Sequence, residues 1–273
     1  MIILVTDSTA YLTREEARAL GVIQVPMTYT HEGRTLYTEG FVEEDAPFLP
    51  VVAGSALSYT TAQASLSAFL STLEDIIADG NQAIVITISS RLSGTYANAR
   101  KAAQELGTDK IAVVDSKTSA GAMYLLLLRA REWINSGFTL SEVAAKLKDS
   151  REKTHTFFSV EEMAPLRRSG RLGFVRQSVS TILNIRPILK LAAGGVTSYA
   201  VARGRHEQLR ILEETLSSWK APIVVQHCRA EDMAAQLTHR LRDRGIPVVQ
   251  RTIGPVLAIH LGNGVISLAW EEA

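Results

Sequence analysis

Three short stretches hold the groups best able to grip or attack a ligand: Asp7-Ser8-Thr9, Ser89-Ser90-Arg91-Leu92-Ser93-Gly94-Thr95 and Asp115-Ser116-Lys117-Thr118-Ser119. Each follows an apolar run and leads into a helical pattern. The start of a helix offers free backbone N–H groups and about half a positive charge, which favours an anion. Hydroxyls and carboxylates in that position are also ordinary N-caps, and for any single loop capping is the simpler account. Asp7 reads this way. Three such loops at the ends of parallel strands point instead to a shared ligand crevice.

Signatures of other chemistries are missing. There is no Gly-x-x-x-x-Gly-Lys-Ser/Thr cradle and no Gly-x-Gly-x-x-Gly after a strand, which disfavours nucleotides. Arg91-Leu92-Ser93-Gly94 lacks the glycine two residues before the serine that a nucleophile elbow requires. The six histidines show no pair at helical ligand spacing, and Cys228 has only His227 beside it, so no metal or cofactor is expected. His227 reads as a strand residue, His206 and His239 as solvated helix residues. One cysteine leaves no internal disulfide and fits a reducing compartment. The run Met1 to Thr6 has no basic flank and no stretch approaches a membrane span, so the expected location is the cytoplasm.

The elements that must position these loops follow from periodicity. A chain of 273 residues with 46% hydrophobic and 21% charged residues can build one large α/β domain or two smaller ones. Strands are expected at Ile2–Thr6, Val22–Val25, Ala83–Ile88 and Ile111–Val114. Helices are expected at Thr13–Leu20, Ser65–Asp79, Ser93–Leu106, Thr118–Asn135 and Leu140–Asp149. The alternation implies a parallel sheet. Thr28–Tyr37 reads as an edge hairpin around a Glu-Gly turn. Beyond it, Thr154–Val160, Arg186–Leu191, Val196–Val201, Pro222–His227, Pro247–Arg251 and Gly264–Trp270 read as strands, with a hairpin turn at Ala193-Gly194-Gly195. The expected fold is therefore α/β in two domains: residues 1–153 with a parallel sheet, and 154–273 with a mixed sheet and helices on one face.

Charge divides along the same line. Residues 1–150 carry 12 basic and 17 acidic residues, whereas 151–273 carry 17 basic and 11 acidic, and the whole chain is +1. The balance argues against nucleic acid as a partner, and the basic half suits either a plain solvated surface or docking to an acidic partner or an anionic membrane.

Taken jointly and in order, a set of motifs spanning nearly the whole chain resembles the DegV family of fatty-acid-binding proteins. They are Val5-Thr6-Asp7-Ser8-Thr9-Ala10, Thr60-Thr61-Ala62-Gln63-Ala64-Ser65, Ser90 to Tyr96, Val114-Asp115-Ser116, Leu166 to Leu172, Arg186-Pro187-Ile188-Leu189, Ile253-Gly254-Pro255-Val256 and His260-Leu261-Gly262-Asn263-Gly264. The resemblance implies a long-chain fatty acid whose carboxylate is held between the two domains by Thr61, Ser93 and His260. It also implies site support from Ser8, Thr60, Gly94 and Thr95, and an apolar tunnel for the chain. It further implies that the protein, a monomer without catalysis of its own, presents the carboxylate to a fatty acid kinase for acyl phosphate formation, which places it in lipid transport and phospholipid metabolism. One stretch departs from the family: its Thr-Ser-Gln-Pro-Ser reads Thr61-Ala62-Gln63-Ala64-Ser65 here, losing a hydroxyl and a proline that bear on loop rigidity and supporting bonds.

The chemistry of these residues agrees with that implication. A carboxylate needs two to four donors, which two hydroxyls and an imidazole supply. Ser93, read as opening a helix, brings backbone N–H groups with it. A charged His260 would add a charge-assisted bond and a pH dependence; without the resemblance, His260 reads as a strand-end histidine bonded to backbone. Each methylene taken from water is worth about 0.8 kcal/mol, so about 15 of them supply roughly 12 kcal/mol before ordering costs. Ala120–Leu128, Val175–Ile185 and Val256–Ile259 are the candidate walls, each equally readable as core. Arg167, Arg168, Arg171, Arg176, Arg203 and Arg205 are the candidate docking face for the kinase or for transient membrane contact. The alternatives are a small-acid or phosphosugar hydrolase or isomerase using Ser93 and His260, which finds no activating base partner, and a purely regulatory lipid sensor.

Overall fold

The structure is a computed structural model and describes residues 1–47, 49, 52, 55–172 and 185–273. The first half is built from β1 (Ile2–Asp7), α1 (Arg14–Leu20), β2 (Val22–Val25), β3 (Thr28–His31), β4 (Thr35–Thr38), α2 (Val42–Asp45), β5 (Tyr59–Ala62), α3 (Leu66–Ala78), β6 (Gln82–Thr87), α4 (Thr95–Leu106), β7 (Ile111–Asp115), α5 (Ala120–Asn135) and α6 (Leu140–Ser150). β2, β1, β6 and β7 lie side by side in a wholly parallel sheet. Their near-continuous apolar runs suit strands covered on both faces. Phe69 and Leu73 of α3 and Ala99 and Ala102 of α4 pack under one face with Val5 and Val85. Met123, Leu126 and Leu127 of α5 and Leu147 of α6 pack under the other with Leu4, Ile84 and Ile86. Capping boxes at Thr13/Glu16 and Thr139/Glu142 start α1 and α6, and Ser65 caps α3.

The second half contains β8 (Thr154–Ser159), α7 (Ala164–Arg168), β9 (Ile185–Ala192), β10 (Gly195–Arg203), α8 (Gly204–Glu214), β11 (Lys220–Cys228), α9 (Glu231–Asp243), β12 (Val248–Thr252), α10 (Pro255–Leu261) and β13 (Val265–Glu271). Its six strands run in the order β10-β9-β8-β13-β11-β12, antiparallel except for β11 with β12. α8 and α9 cover one face through Leu209, Leu212, Leu237 and Leu241. α5 lies against the other face, on β8, β11 and β13. That double burial explains why Ala120 to Leu127 is apolar with no polar stripe. Among the described residues no helix is long and apolar enough to cross a membrane.

Two readings of the sequence change. The hairpin expected over 28–37 forms as β3 and β4, but β5 joins it from 59–62, so Thr61 sits on a strand of a three-stranded sheet. The segment around His260 is a helix, α10, rather than a strand end; Gly254 precedes it and Pro255 fills its first position. Proline is favoured there because its fixed φ suits the helix and its missing N–H would be unpaired anyway.

The two large sheets are tied by charged side chains. Arg251 of β12 reaches both carboxylate oxygens of Glu16 and the Tyr11 carbonyl, and its guanidinium lies 4.2 Å from the centre of the Tyr124 ring. Arg129 of α5 bonds Glu271 of β13 at 2.6 Å.

Candidate functional site

The hydroxyl loops divide once their bonds are followed. Asp7 accepts from Thr9 N–H at 3.0 Å and Ile88 N–H at 2.7 Å, the capping role expected of it. Its burial pushes the carboxyl up, against the lowering effect of those donors. Asp115 likewise accepts from the Ser90 hydroxyl at 2.6 Å and from Lys117 N–H at 3.0 Å, so it stitches the second loop to the third. Ser89 donates to the Gly194 carbonyl at 2.7 Å. Much of the hydroxyl content at the end of β6 therefore holds loops together. Ser93, Gly94 and Ser119 instead face a cavity of about 570 Å3, within the range of small-molecule sites.

That cavity lies between the parallel-sheet half and the mixed sheet. Leu66, Ile88 and Leu92 line it from the first half, and Phe158, Leu191 and Val196 from the second. α10 contributes Val256, Leu257, His260 and Leu261. Thr61, Ser93 and His260, separated by up to 199 positions, all face this one space. His260 Nε2 is 2.8 Å from Thr61 Oγ1. Ser93 Oγ is 2.9 Å from Thr95 Oγ1 and accepts from Thr95 N–H at 3.3 Å. Gly94, not Ser93, is the residue flanking α4. A side chain on Gly94 would overlap the Gln63 amide, which also lines the cavity. Burial, then the nearby Arg171 and Arg168 cations, pushes the His260 imidazole down to about 4. The site therefore holds a neutral histidine near pH 7, not the charged one considered from sequence.

The supporting residues fall in different places. Thr95 holds Ser93 and also accepts from Ala64 N–H at 3.3 Å, while Asn98 donates to the Ala64 carbonyl at 2.8 Å. The stretch with the two departures, Ala62 and Ala64, is thus fastened by α4. Thr60 is exposed and does not line the cavity, whereas its neighbours Thr61 and Ala62 do. Ser8 does not line it either: its hydroxyl donates to Glu39 at 2.6 Å and accepts from Met27 N–H at 3.0 Å. Of the candidate walls, Ala120–Leu128 contributes Ala120 alone, its leucines being core, and Val256–Ile259 contributes Val256 and Leu257. Residues 175–184, including Arg176, lie outside the described residues.

The candidate docking arginines also separate. Arg171 lines the cavity and donates to the Leu92 and Ser169 carbonyls at 3.2 and 2.6 Å. Arg168 is held on the carbonyls of Ala56, Leu57 and Tyr59. Arg167 and Arg203 are exposed, and Arg205 borders a second, smaller polar groove with Arg186 and Gln208.

Sequence reasoning missed the pair that fixes α10. Glu39, fully buried, accepts from Val256 N–H at 2.7 Å, and Tyr11 Oη accepts from Leu257 N–H at 3.0 Å. A Cβ on Gly254 would lie 2.5 Å from the Tyr11 ring and 3.1 Å from Glu39, so only glycine lets these groups reach the helix start. The Gly254-Pro255 pair was the available signal.

Among the described residues no hydrogen bond joins Ser93 to His260; each is engaged by a threonine instead. A serine nucleophile needs a base within reach of its hydroxyl, and the group beside Ser93 Oγ is Thr95 Oγ1 at 2.9 Å. A model of the DegV family matches residues 1–273. The chain belongs to the DegV family. A DegV domain-containing protein from Deinococcus radiodurans is 33% identical over 287 residues, covering 99% of this chain and 98% of its own. Among solved structures, a fatty-acid-binding DegV family protein from Thermus thermophilus is 30% identical with a TM-score of 0.86, covering 100% of this chain and 99% of its own. A DegV lipid-binding protein from Thermotoga maritima is 25% identical with a TM-score of 0.90, covering 99% of this chain and 98% of its own. The α/β fold with one parallel and one mixed sheet is thus the DegV fold.

Proposed function

We propose that this protein binds a long-chain fatty acid, holding the carboxylate at Thr61, Ser93 and His260 and the chain along the apolar wall of the cavity. One observation carries the reading: three donor side chains from β5, the loop before α4, and α10 face a single cavity whose remaining wall is largely apolar. The fatty acids bound by the Thermus relative, at 30% identity over the full chain, support it. Neutral donors suffice for orientation, because affinity comes from the chain at about 0.8 kcal/mol per methylene. We further propose that the protein is a carrier without catalysis, acts in the cytoplasm as a monomer, and offers the carboxylate to a fatty acid kinase. Arg167 and Arg171 near the cavity and Arg203 and Arg205 farther along the basic half would meet that partner.

Mass spectrometry of lipid released by denaturing the purified protein tests the binding. A roughly stoichiometric fatty acid is expected from the wild type and a much reduced yield from Thr61→Ala/Ser93→Ala/His260→Phe. Polar metabolites alone would overturn the reading. For the kinase, association that weakens with salt and with Arg167→Ala/Arg171→Ala is expected, and salt-insensitive association would count against the docking face.

A further inference from the structure

The carboxylate grip uses nothing from the third hydroxyl loop, yet that loop ends on the cavity. Ser119 is 7% exposed, lines the cavity and stands at the start of α5, where its side chain makes no capping bond. Among the described residues its hydroxyl has no hydrogen-bond partner. Two more hydroxyls line the cavity from the mixed sheet, Thr156 of β8 and Ser267 of β13, at 8% and 6% exposure. Ser267 is paired with Phe158, and Thr156 lies two residues along the same strand as Phe158, so both point to the same side of the sheet. Thr156 Oγ1 is 3.2 Å from Thr118 Oγ1, and Ser267 reaches only the Gln226 carbonyl, at 3.4 Å.

The start of α5 is pressed onto this patch. Gly121 N–H is spent on Gln226 Oε1, and a Cβ on Gly121 would lie 2.7 Å from that oxygen and 2.8 Å from Val224. Gln226 is in turn the β11 partner of Ser267. Ser119, Thr156 and Ser267 thus gather where helix and sheet meet, on a wall otherwise made of groups such as Ala120, Phe158 and Val265. No hydrogen bond among the described residues links them to Thr61, Ser93 or His260. A plain hydrocarbon chain passing these hydroxyls would remove their water and give no bond in return.

We propose that this patch recognises an oxygen carried on the acyl chain, so that the ligand class is a hydroxylated long-chain fatty acid with its hydroxyl at Ser119, Thr156 and Ser267. The inference rests on the carboxylate-binding reading above. Ser119 donates a hydrogen bond to the ligand oxygen, whose own hydroxyl donates one to Ser267 or Thr156, and the positive end of the 16-residue helix α5 favours the oxygen there.

The test is equilibrium binding of octadecanoate against a set of octadecanoates bearing one hydroxyl at successive mid-chain and terminal carbons. At least one isomer is expected to bind wild type about fivefold or more tighter than octadecanoate. That preference should fall to parity in Ser119→Ala and in Ser267→Ala, with octadecanoate bound at least as tightly as by wild type. If octadecanoate binds but no isomer binds more tightly, the hydroxyls hold only water or structure and the inference is overturned. A preference that survives both substitutions also overturns it. If neither ligand class binds wild type, the fatty-acid reading itself fails, and this inference with it.

Discussion

His260 Nε2 and Thr61 Oγ1 are 2.8 Å apart, so each can orient the other toward a ligand. Because the imidazole is pushed down to about 4, it enters the encounter with a carboxylate uncharged. An anion placed beside it raises its proton affinity, so affinity rises as pH falls through the bound imidazole's value toward the free value of about 4. Dodecanoate affinity measured at pH 7 and at pH 5, nearer the free imidazole's value of about 4, is expected to be higher at the lower pH in wild type and to lose that difference in His260→Gln. An equal pH response in the variant would assign the effect to another group. The family resemblance named Thr61, Ser93 and His260 together, and the three do face one cavity. Ser8 and Thr60, named as their support, do not, since a side chain's facing depends on partners such as Glu39 that are distant in sequence.

Helix α10 is a short element whose position is fixed from outside itself. Only seven residues long, it cannot be held by propensity; Glu39 and Tyr11 satisfy its first N–H groups from the other half of the molecule. Tyr11→Phe leaves Leu257 N–H buried without that acceptor and is expected to cost about 1–2 kcal/mol in denaturant unfolding. Burial, aided by Asp45 and Asp7, pushes Glu39 up to about 8 from an ordinary 4.5, against the donors Ser8 and Val256. A raised carboxyl contributes stability that is complete below the unfolded value and is lost as pH rises through the folded one. Unfolding curves should therefore show wild type losing stability as pH passes from about 4.5 to above 8, and Glu39→Gln losing less over the same interval. A variant slope equal to that of wild type would contradict this. The long elements were legible in the sequence because apolar runs and capping residues mark them, as at Thr13, Ser65 and Thr139. α10 was not, because its apolar run Val256 to Ile259 fits a strand as readily as a helix and only Gly254-Pro255 marks its start.

At the scale of the whole molecule, the cavity exists because two sheets are held apart by α5 and locked by a few charged contacts. Arg251, 8% exposed, joins β12 to Glu16 and Tyr11 of the first half. Arg251→Ala is expected to cost about 2–4 kcal/mol by leaving those acceptors unpaired, and calorimetry would show a smaller ligand-induced rise in Tm if the halves are loosened. The division into a parallel and a mixed sheet was readable from alternating strands and helices; the contact of α5 with both sheets was not, since its unbroken apolar run says only that it is buried. The central claim is that one acid-binding grip at an apolar cavity gives this protein its ligand. Direct titration with hexadecanoate of wild type and of Thr61→Val/Ser93→Ala/His260→Phe tests it most plainly. The account predicts saturable one-to-one binding to wild type, weakened about a hundredfold or more in the folded variant; equal affinity for the two proteins would contradict it.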